Sequence, residues 1–257
     1  MYSVQSRNIV PKSLKRIEAM KIGGAALVPI KRALVEFSQV GVTFIEIENY
    51  ATSLIVEAGM KPSFSTVPGY HWSTCIMKND ALCHGIPNQQ KINDGDIITI
   101  DIGLINEGFH LDTTISFGVG AISTKHRRFL DVGQHALNKA ISFARVGQSV
   151  YQISRAMEKI LLEENYGVVY QLTGHGVGKE LHMDPTIPCV ANPDDRSVLV
   201  QEGQTLAIEV MYAMGNPHLT VDPDGWTFRT KDGSVTAMFE ETVLVTVDGP
   251  QILTKDR

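Results

Sequence analysis

Cysteine is scarce in this chain: three in 257 residues, at Cys75, Cys83 and Cys189. An odd and small number builds no disulfide framework, cannot complete a four-cysteine zinc site, and points to a reducing compartment. A surplus of positive charge is also missing. Lys+Arg 23 against Asp+Glu 28 gives a formal net charge of −5, which disfavours a globally basic nucleic-acid binder, and no DNA partner is expected. Long apolar runs are absent too. The longest, residues 25–30, is interrupted by Pro29 and falls far short of the ~18 residues that span a bilayer, so no membrane partner is expected. The first residues are polar and then basic (Lys12, Lys15, Arg16), without the apolar core of a signal peptide. What these absences leave is a soluble, cytoplasmic globular protein. Its length, with 43% hydrophobic residues, suffices for one large domain with a sizeable core. No heptad or repeated apolar stripe is visible, and a monomer is expected.

What is present is an internal echo. Residues 40–47 read Val-Gly-Val-Thr-Phe-Ile-Glu-Ile and residues 146–153 read Val-Gly-Gln-Ser-Val-Tyr-Gln-Ile, 106 positions apart. Each carries a hydroxyl followed three residues later by Glu or Gln: Thr43 with Glu46, Ser149 with Gln152. That is a capping box, which satisfies free N–H groups at a helix start. The helices that follow are expected to end near Gly59 and Gly167, and longer helices are expected before them, over about 13–39 and 124–145. A second echo relates residues 92–101 to residues 200–209, at an offset of 108. In both, a Gly turn leads into an apolar strand ending in a carboxylate, Asp101 or Glu209. Two echoes at nearly one offset predict a duplicated helix–helix–strand unit, about 1–122 and 123–257, whose α+β halves form one domain.

The carboxylates sit where carboxylates are costly. Asp101 lies between Ile100 and Ile102, and a charge buried in such a strand must be neutralised. The strand runs into Asn106-Glu107-Gly108 and returns through Phe109-His110-Leu111-Asp112. With the hairpin centred between Asn106 and Glu107, Asp101 and Asp112 fall opposite each other on one face. Glu209 and Glu240 repeat the situation in the second half, and Glu241, adjacent to Glu240, must point the other way. Like charges held together need a shared proton or a cation. A neutral ligand candidate is His175, in Thr173-Gly174-His175-Gly176-Val177-Gly178, with His182 seven residues later. The Gly-x-Gly pattern there lacks the following helix that a nucleotide loop needs. Four carboxylates and an imidazole form a hard donor set suited to Mn, Fe(II), Co or Zn. Two such ions ~3.5–4 Å apart make a nucleophile from water at neutral pH, which predicts a metal-dependent hydrolase.

At this point the chain resembles a known family, the type I methionine aminopeptidases of the pita-bread fold. The resemblance covers nearly the whole chain. It is carried by Asn79-Asp80-Ala81-Leu82-Cys83-His84-Gly85-Ile86-Pro87-Asn88, by Asp101 and Asp112, by Gly174-His175-Gly176-Val177-Gly178, and by Leu181-His182. Ile208-Glu209, Trp226-Thr227-Phe228-Arg229-Thr230-Lys231-Asp232 and Phe239-Glu240 complete it. It implies two pseudo-symmetric α/β halves around a curved antiparallel sheet, with helices on the outer face. It also implies two divalent ions held by Asp101, Asp112, His175, Glu209 and Glu240, with Asp112 and Glu240 bridging and Glu209 also handling the proton of the bridging water. His84 and His182 would not bind metal but would hydrogen-bond near the scissile nitrogen and the carbonyl oxygen. Tyr70, Cys75, Leu181 and Trp226 would line the pocket for the unbranched, polarizable methionine side chain. The implied reaction removes the N-terminal methionine of nascent proteins, at or near the ribosome, when the second residue is small. Asn79 and Thr236 match positions that hold a structural monovalent cation in relatives.

The chain departs from the family pattern at several positions. Val210 follows Glu209 where relatives usually carry Pro, and Glu241 follows Glu240 where relatives often have His. Leu181 stands where an aromatic residue is usual. His71-Trp72 and Val67-Pro68 change the pocket entrance, which bears on side-chain selectivity and rate more than on the reaction. The chain starts without a cysteine-rich extension, as in the short bacterial form, and the 26 residues between His182 and Glu209 leave no room for the helical insertion of type II enzymes. Two rivals share the fold. A proline-specific relative would carry a separate N-terminal domain and a His where Gln171 stands, and a non-catalytic binding protein would have lost its metal ligands. The chain itself begins Met1-Tyr2; Tyr is large, so it is expected to keep its own Met1.

Overall fold

Two pairs of helices lean on the same side of one large antiparallel sheet in the computed structural model, which describes residues 14–255. The first half runs α1 (Leu14–Phe37), α2 (Phe44–Glu57), β1 (Lys61–Pro62), β2 (Thr74–Lys78), β3 (Ala81–Cys83), β4 (Ile97–Asn106) and β5 (Phe109–Gly118). The second runs α3 (Thr124–Ile141), α4 (Val150–Glu163), β6 (Gly167–Val168), β7 (Thr173–Gly176), β8 (Met183–Pro188), β9 (Thr205–Ala213), β10 (Leu219–Val221), β11 (Phe228–Thr230), β12 (Thr236–Thr246) and β13 (Gly249–Ile252). The main sheet has the order β1-β4-β5-β12-β9-β7-β8, with β2 on β4, β6 on β9 and β13 on β12; β10, β11 and β3 form a small second sheet. No helix among the described residues is long and apolar enough to cross a membrane. The readings placed on Met1-Tyr2 and the polar leader lie outside the described residues.

The internal echo is repeated in the backbone hydrogen bonds. Gly41 N–H donates to the Ile92 carbonyl at 2.8 Å, and Gly147 N–H to Val200 at 2.9 Å. Gly95 N–H reaches Val119 and Gly203 N–H reaches Val245, both at 2.8 Å. All four glycines have positive φ, between 81° and 94°, a region open to a residue without Cβ. Thr43 and Ser149 each form the expected capping box, at the starts of α2 and α4.

Three expectations shift. Gly59 takes the positive-φ position after α2, but α4 ends at Glu163 and Asn165, with φ 59°, takes the equivalent position; Gly167 opens β6 instead. Asn tolerates the left-handed region well enough to replace Gly there. The helix expected over 124–145 stops at Ile141. The third shift concerns the β4–β5 hairpin, which is centred between Glu107 and Gly108, because Asn106 pairs with Phe109. Asp101 therefore faces Thr114 and Asp112 faces Gly103. A slip of two positions preserves the face, so both carboxylates still point to the same side as diagonal neighbours.

Alternation divides the sheet between two environments. On the helix side, α1 packs on β4 and β5 while α3 packs on β9 and β12. Leu27, Ile30 and Leu34 of α1 meet Ile100, Ile102 and Leu111 in one core cluster, and Phe129 and Leu137 of α3 meet Ile208, Val210 and Tyr212 in another. A third cluster, with Phe64, Tyr70, Cys75 and Leu181, lies apart from both. All three cysteines are free and buried.

Candidate metal centre and substrate cavity

Burial of the charged residues follows from strand parity. Asp101, Asp112, Glu209 and Glu240 belong to β4, β5, β9 and β12, the four strands at the middle of the sheet, and Glu240 pairs directly with Glu209 across the β9–β12 ladder. His175 comes from β7, opposite Ala207. All five are buried, and all five line one cavity of about 300 Å³.

Within it, Asp112, His175 and Glu240 each offer a ligand atom within 4.8 Å of the others. The His175 Nε2 atom lies 4.0 Å from Asp112 Oδ2. His175 Nδ1 is 3.0 Å from the Gly176 carbonyl; donation there leaves the Nε2 lone pair facing the carboxylates. Asp101 joins as the diagonal neighbour of Asp112 across the β4–β5 ladder. Thr114 Oγ1 stands 2.8 Å from both Asp101 Oδ1 and Glu240 Oε2, so one hydroxyl links carboxylates from the two halves.

Electrostatics are severe in this arrangement. Burial raises the Asp101 carboxyl to about 6, and burial with the nearby Asp101 charge raises Glu209 to about 8. Asp112 and Glu240 are pushed well above the usual carboxylate range, by burial first and then by neighbouring carboxylates. His175 is lowered to about 4 by burial and by His182, so it is a neutral imidazole at neutral pH. Among the described residues, Asp112 Oδ1 and Glu240 Oε1 are buried acceptors without a hydrogen-bond donor. Orphaned buried carboxylate oxygens are expensive. A cation is what this donor set fits: hard oxygens, one neutral nitrogen, and two acceptors with nothing else to bind.

The remaining residues singled out in the sequence surround the cluster. His84 has a positive φ of 56° and packs edge-on against Phe228, ring centroids 5.6 Å apart. Burial and His182 lower its pKa to about 4. His182, exposed at the mouth, stacks edge-on against His175 at 4.5 Å. Tyr70, Cys75, Leu181 and Trp226 also line the cavity, with Tyr70 and Trp226 in edge contact at 5.1 Å. The Tyr70 hydroxyl donates to the Thr74 carbonyl at 2.8 Å, so its ring offers an apolar surface. Asn79 and Thr236 do not reach the cavity lining; they meet each other at the seam of the halves, where Thr236 Oγ1 lies 3.0 Å from the Asn79 carbonyl and 2.9 Å from that of Ala81. Sequence reasoning missed Thr114, and it missed Met211 and Met238, which add apolar lining. The Asp112-Thr113-Thr114 run was the available signal: hydroxyls on an apolar strand beside a carboxylate.

A family model describes the same span. The chain belongs to metallopeptidase family M24, matched over residues 17–247. Within that family it resembles methionine aminopeptidases along nearly its whole length. It is 35% identical to methionine aminopeptidase 1 of Mycobacterium tuberculosis, over 98% of this chain and 97% of the relative. It is 34% identical to methionine aminopeptidase 1 of Bacillus subtilis, over 96% and 99%. Among solved structures, the methionine aminopeptidase of Thermotoga maritima matches with TM-score 0.93 at 33% identity, covering 97% of this chain and all (100%) of that one. The prolidase of Pyrococcus furiosus matches with TM-score 0.76 at 25% identity, covering 96% of this chain but 65% of that one. The resemblance read from the motifs, and the pita-bread fold it implied, are borne out.

Proposed function

We propose that the chain is a metal-dependent methionyl aminopeptidase, which hydrolyses the first peptide bond of a polypeptide that begins with methionine. The observation that carries this reading is the cluster of Asp101, Asp112, His175, Glu209 and Glu240, buried together beside an apolar cavity. It stands in a chain that is similar to methionine aminopeptidases over nearly its full length. These five residues would hold two divalent ions, of Co, Mn, Fe or Zn, with Asp112 and Glu240 shared between them. When bound, such ions supply a water acidic enough to lose a proton near neutral pH.

The protein's own groups would do the rest. Glu209, ionised once metal has displaced its proton, would take the proton from that water on a carboxylate oxygen and pass it to the leaving nitrogen. His84 is neutral at pH 7 and offers one N–H and one lone pair to the scissile amide. His182 would donate to the carbonyl oxygen, where negative charge develops. The methionine side chain would lie against Tyr70, Cys75, Leu181 and Trp226. Leu181 is short and branched, and it leaves the Tyr70–Trp226 pair as the aromatic part of that wall. We further propose a monovalent cation beside Asn79 and Thr236, one catalytic domain built from halves 1–122 and 123–257, and a cytoplasmic monomer that acts on nascent chains near the ribosome. A peptide series tests the activity. Chelator-stripped protein with added Mn(II) should release methionine from Met-Ala-Ser and much less from Met-Tyr-Ser, and should release none without metal. Metal-independent release would overturn the reading.

A further inference from the structure

The two metal-ligand strands from opposite halves, β5 and β12, are joined by little backbone. Only Glu240↔Thr114 and Glu241↔Thr113 pair across this seam, whereas β4–β5 pairs at ten positions and β9–β12 at nine. Side-chain hydroxyls complete the join. Thr242 Oγ1 donates to the Asp112 carbonyl at 2.8 Å and accepts from the Asp112 N–H at 3.0 Å. Thr113 Oγ1 lies 2.9 Å from the Glu240 carbonyl. The relative placement of Asp112 and Glu240 therefore depends on which way these hydroxyls point.

Directly behind this seam, on the helix side of the sheet, lies a buried ion pair that the proposed reaction does not use. Lys31 Nζ is 3.0 Å from Glu241 Oε1, with both side chains nearly closed to solvent (11% and 7% exposed). The ammonium also reaches Thr113 Oγ1 at 2.8 Å. Glu241 Oε2 accepts from Thr254 Oγ1 at 2.5 Å. Lys31 can only donate, so Thr113 Oγ1 accepts from it and offers its own proton to the Glu240 carbonyl at 2.9 Å, with Glu241 Oε2 a longer second acceptor at 3.1 Å. The helix is brought close enough for this by Gly24, two turns before Lys31, where a Cβ would collide with the Leu253 carbonyl. A buried pair adds little stability over an apolar replacement, so stability alone does not account for its placement.

We infer that Lys31, Glu241 and Thr113 form a positioning network, which sets the Thr113 hydroxyl on the Glu240 backbone and thereby fixes the spacing of Asp112 and Glu240 for metal. This rests on the proposed ligand roles of those two carboxylates. Outer-shell partners of metal ligands are worth ~10–100-fold in affinity. The test is calorimetric titration of Mn(II) into chelator-stripped protein: wild type, the double variant Lys31→Met with Glu241→Leu, and Thr113→Val. Melting of the metal-free proteins is followed in parallel. The network requires both variants to bind Mn(II) roughly ten- to a hundredfold more weakly while melting near the wild type. Should the double variant fail to fold, Thr113→Val decides, because it keeps the ion pair and removes only the hydroxyl. Affinity within twofold of wild type in Thr113→Val would overturn the network. Absence of Mn(II) binding by the wild type would instead overturn the ligand assignment beneath it, and the inference with it.

Discussion

Each of the four central carboxylates binds its proton more tightly in the folded, metal-free protein than it does in an unfolded chain. A raised carboxylate pKa contributes stability that is present in full below the unfolded value and is lost as pH rises through the folded one. Unfolded carboxylates titrate near ~4, and Glu209 is raised to about 8. Metal-free protein should therefore lose stability between about pH 4 and 8, by up to ~1.4 kcal/mol per pH unit for each proton released. Saturating metal should flatten that slope; a scan of melting temperature against pH, with and without Mn(II), checks both. His84 separates binding from turnover. It lines the cavity without belonging to the ligand cluster, so His84→Ala should keep Mn(II) affinity while kcat falls ~10²–10⁴-fold, read by calorimetry and peptide turnover. The proposed ligand residues stood out in the sequence because a charge inside Ile-Ile-Thr-Ile-Asp-Ile is too costly to bury without something that neutralises it. Thr114 was not, since a hydroxyl is cheap in a strand and only the fold shows it touching carboxylates from both halves.

Helix starts were readable to the residue, because a capping box is a local device: Thr43 N–H donates to Glu46 Oε2 at 2.8 Å, and Ser149 N–H to Gln152 Oε1 at 2.9 Å. Thr43→Ala should cost about 1 kcal/mol, seen as a small drop in melting temperature with metal affinity unchanged. Helix ends were less readable. Nothing local ranks Asn165 above Gly167 as the left-handed stop, because both residue types tolerate it. The β4–β5 turn shows the same limit. Asn106-Glu107-Gly108 marks a turn without fixing its centre, and the observed register needs positive φ at both Glu107 and Gly108. The error was a slip of two, so the face survived and the site did too. Register along a strand is weakly specified by sequence, but its parity is strongly specified wherever one face is buried.

At the scale of the molecule, strands from both ends of the chain bring the candidate site together. Each half supplies carboxylates from its own strands, and the cavity forms where the two halves share the sheet. Metal should therefore act as a clasp between halves: any ion bound by the folded chain alone stabilises it by mass action, ~2.7 kcal/mol at a hundred times its Kd. Asp112→Asn should remove most of that gain, and peptide turnover with it, while the metal-free protein melts no lower, since a neutral amide replaces a carboxyl whose charged form burial already disfavours. The seam itself, with Lys31 reaching 210 positions along the chain to Glu241, was illegible before folding; no spacing rule connects such residues. The most direct test of the central claim is a competition between Met-Ala-Ser and Ala-Pro-Ser in one tube, with Mn(II) or Co(II) added to stripped protein and free amino acids read by mass spectrometry. Metal-dependent release of methionine, with Ala-Pro-Ser untouched, is the predicted result. Release of alanine from before proline, or of neither amino acid with any metal, would contradict it.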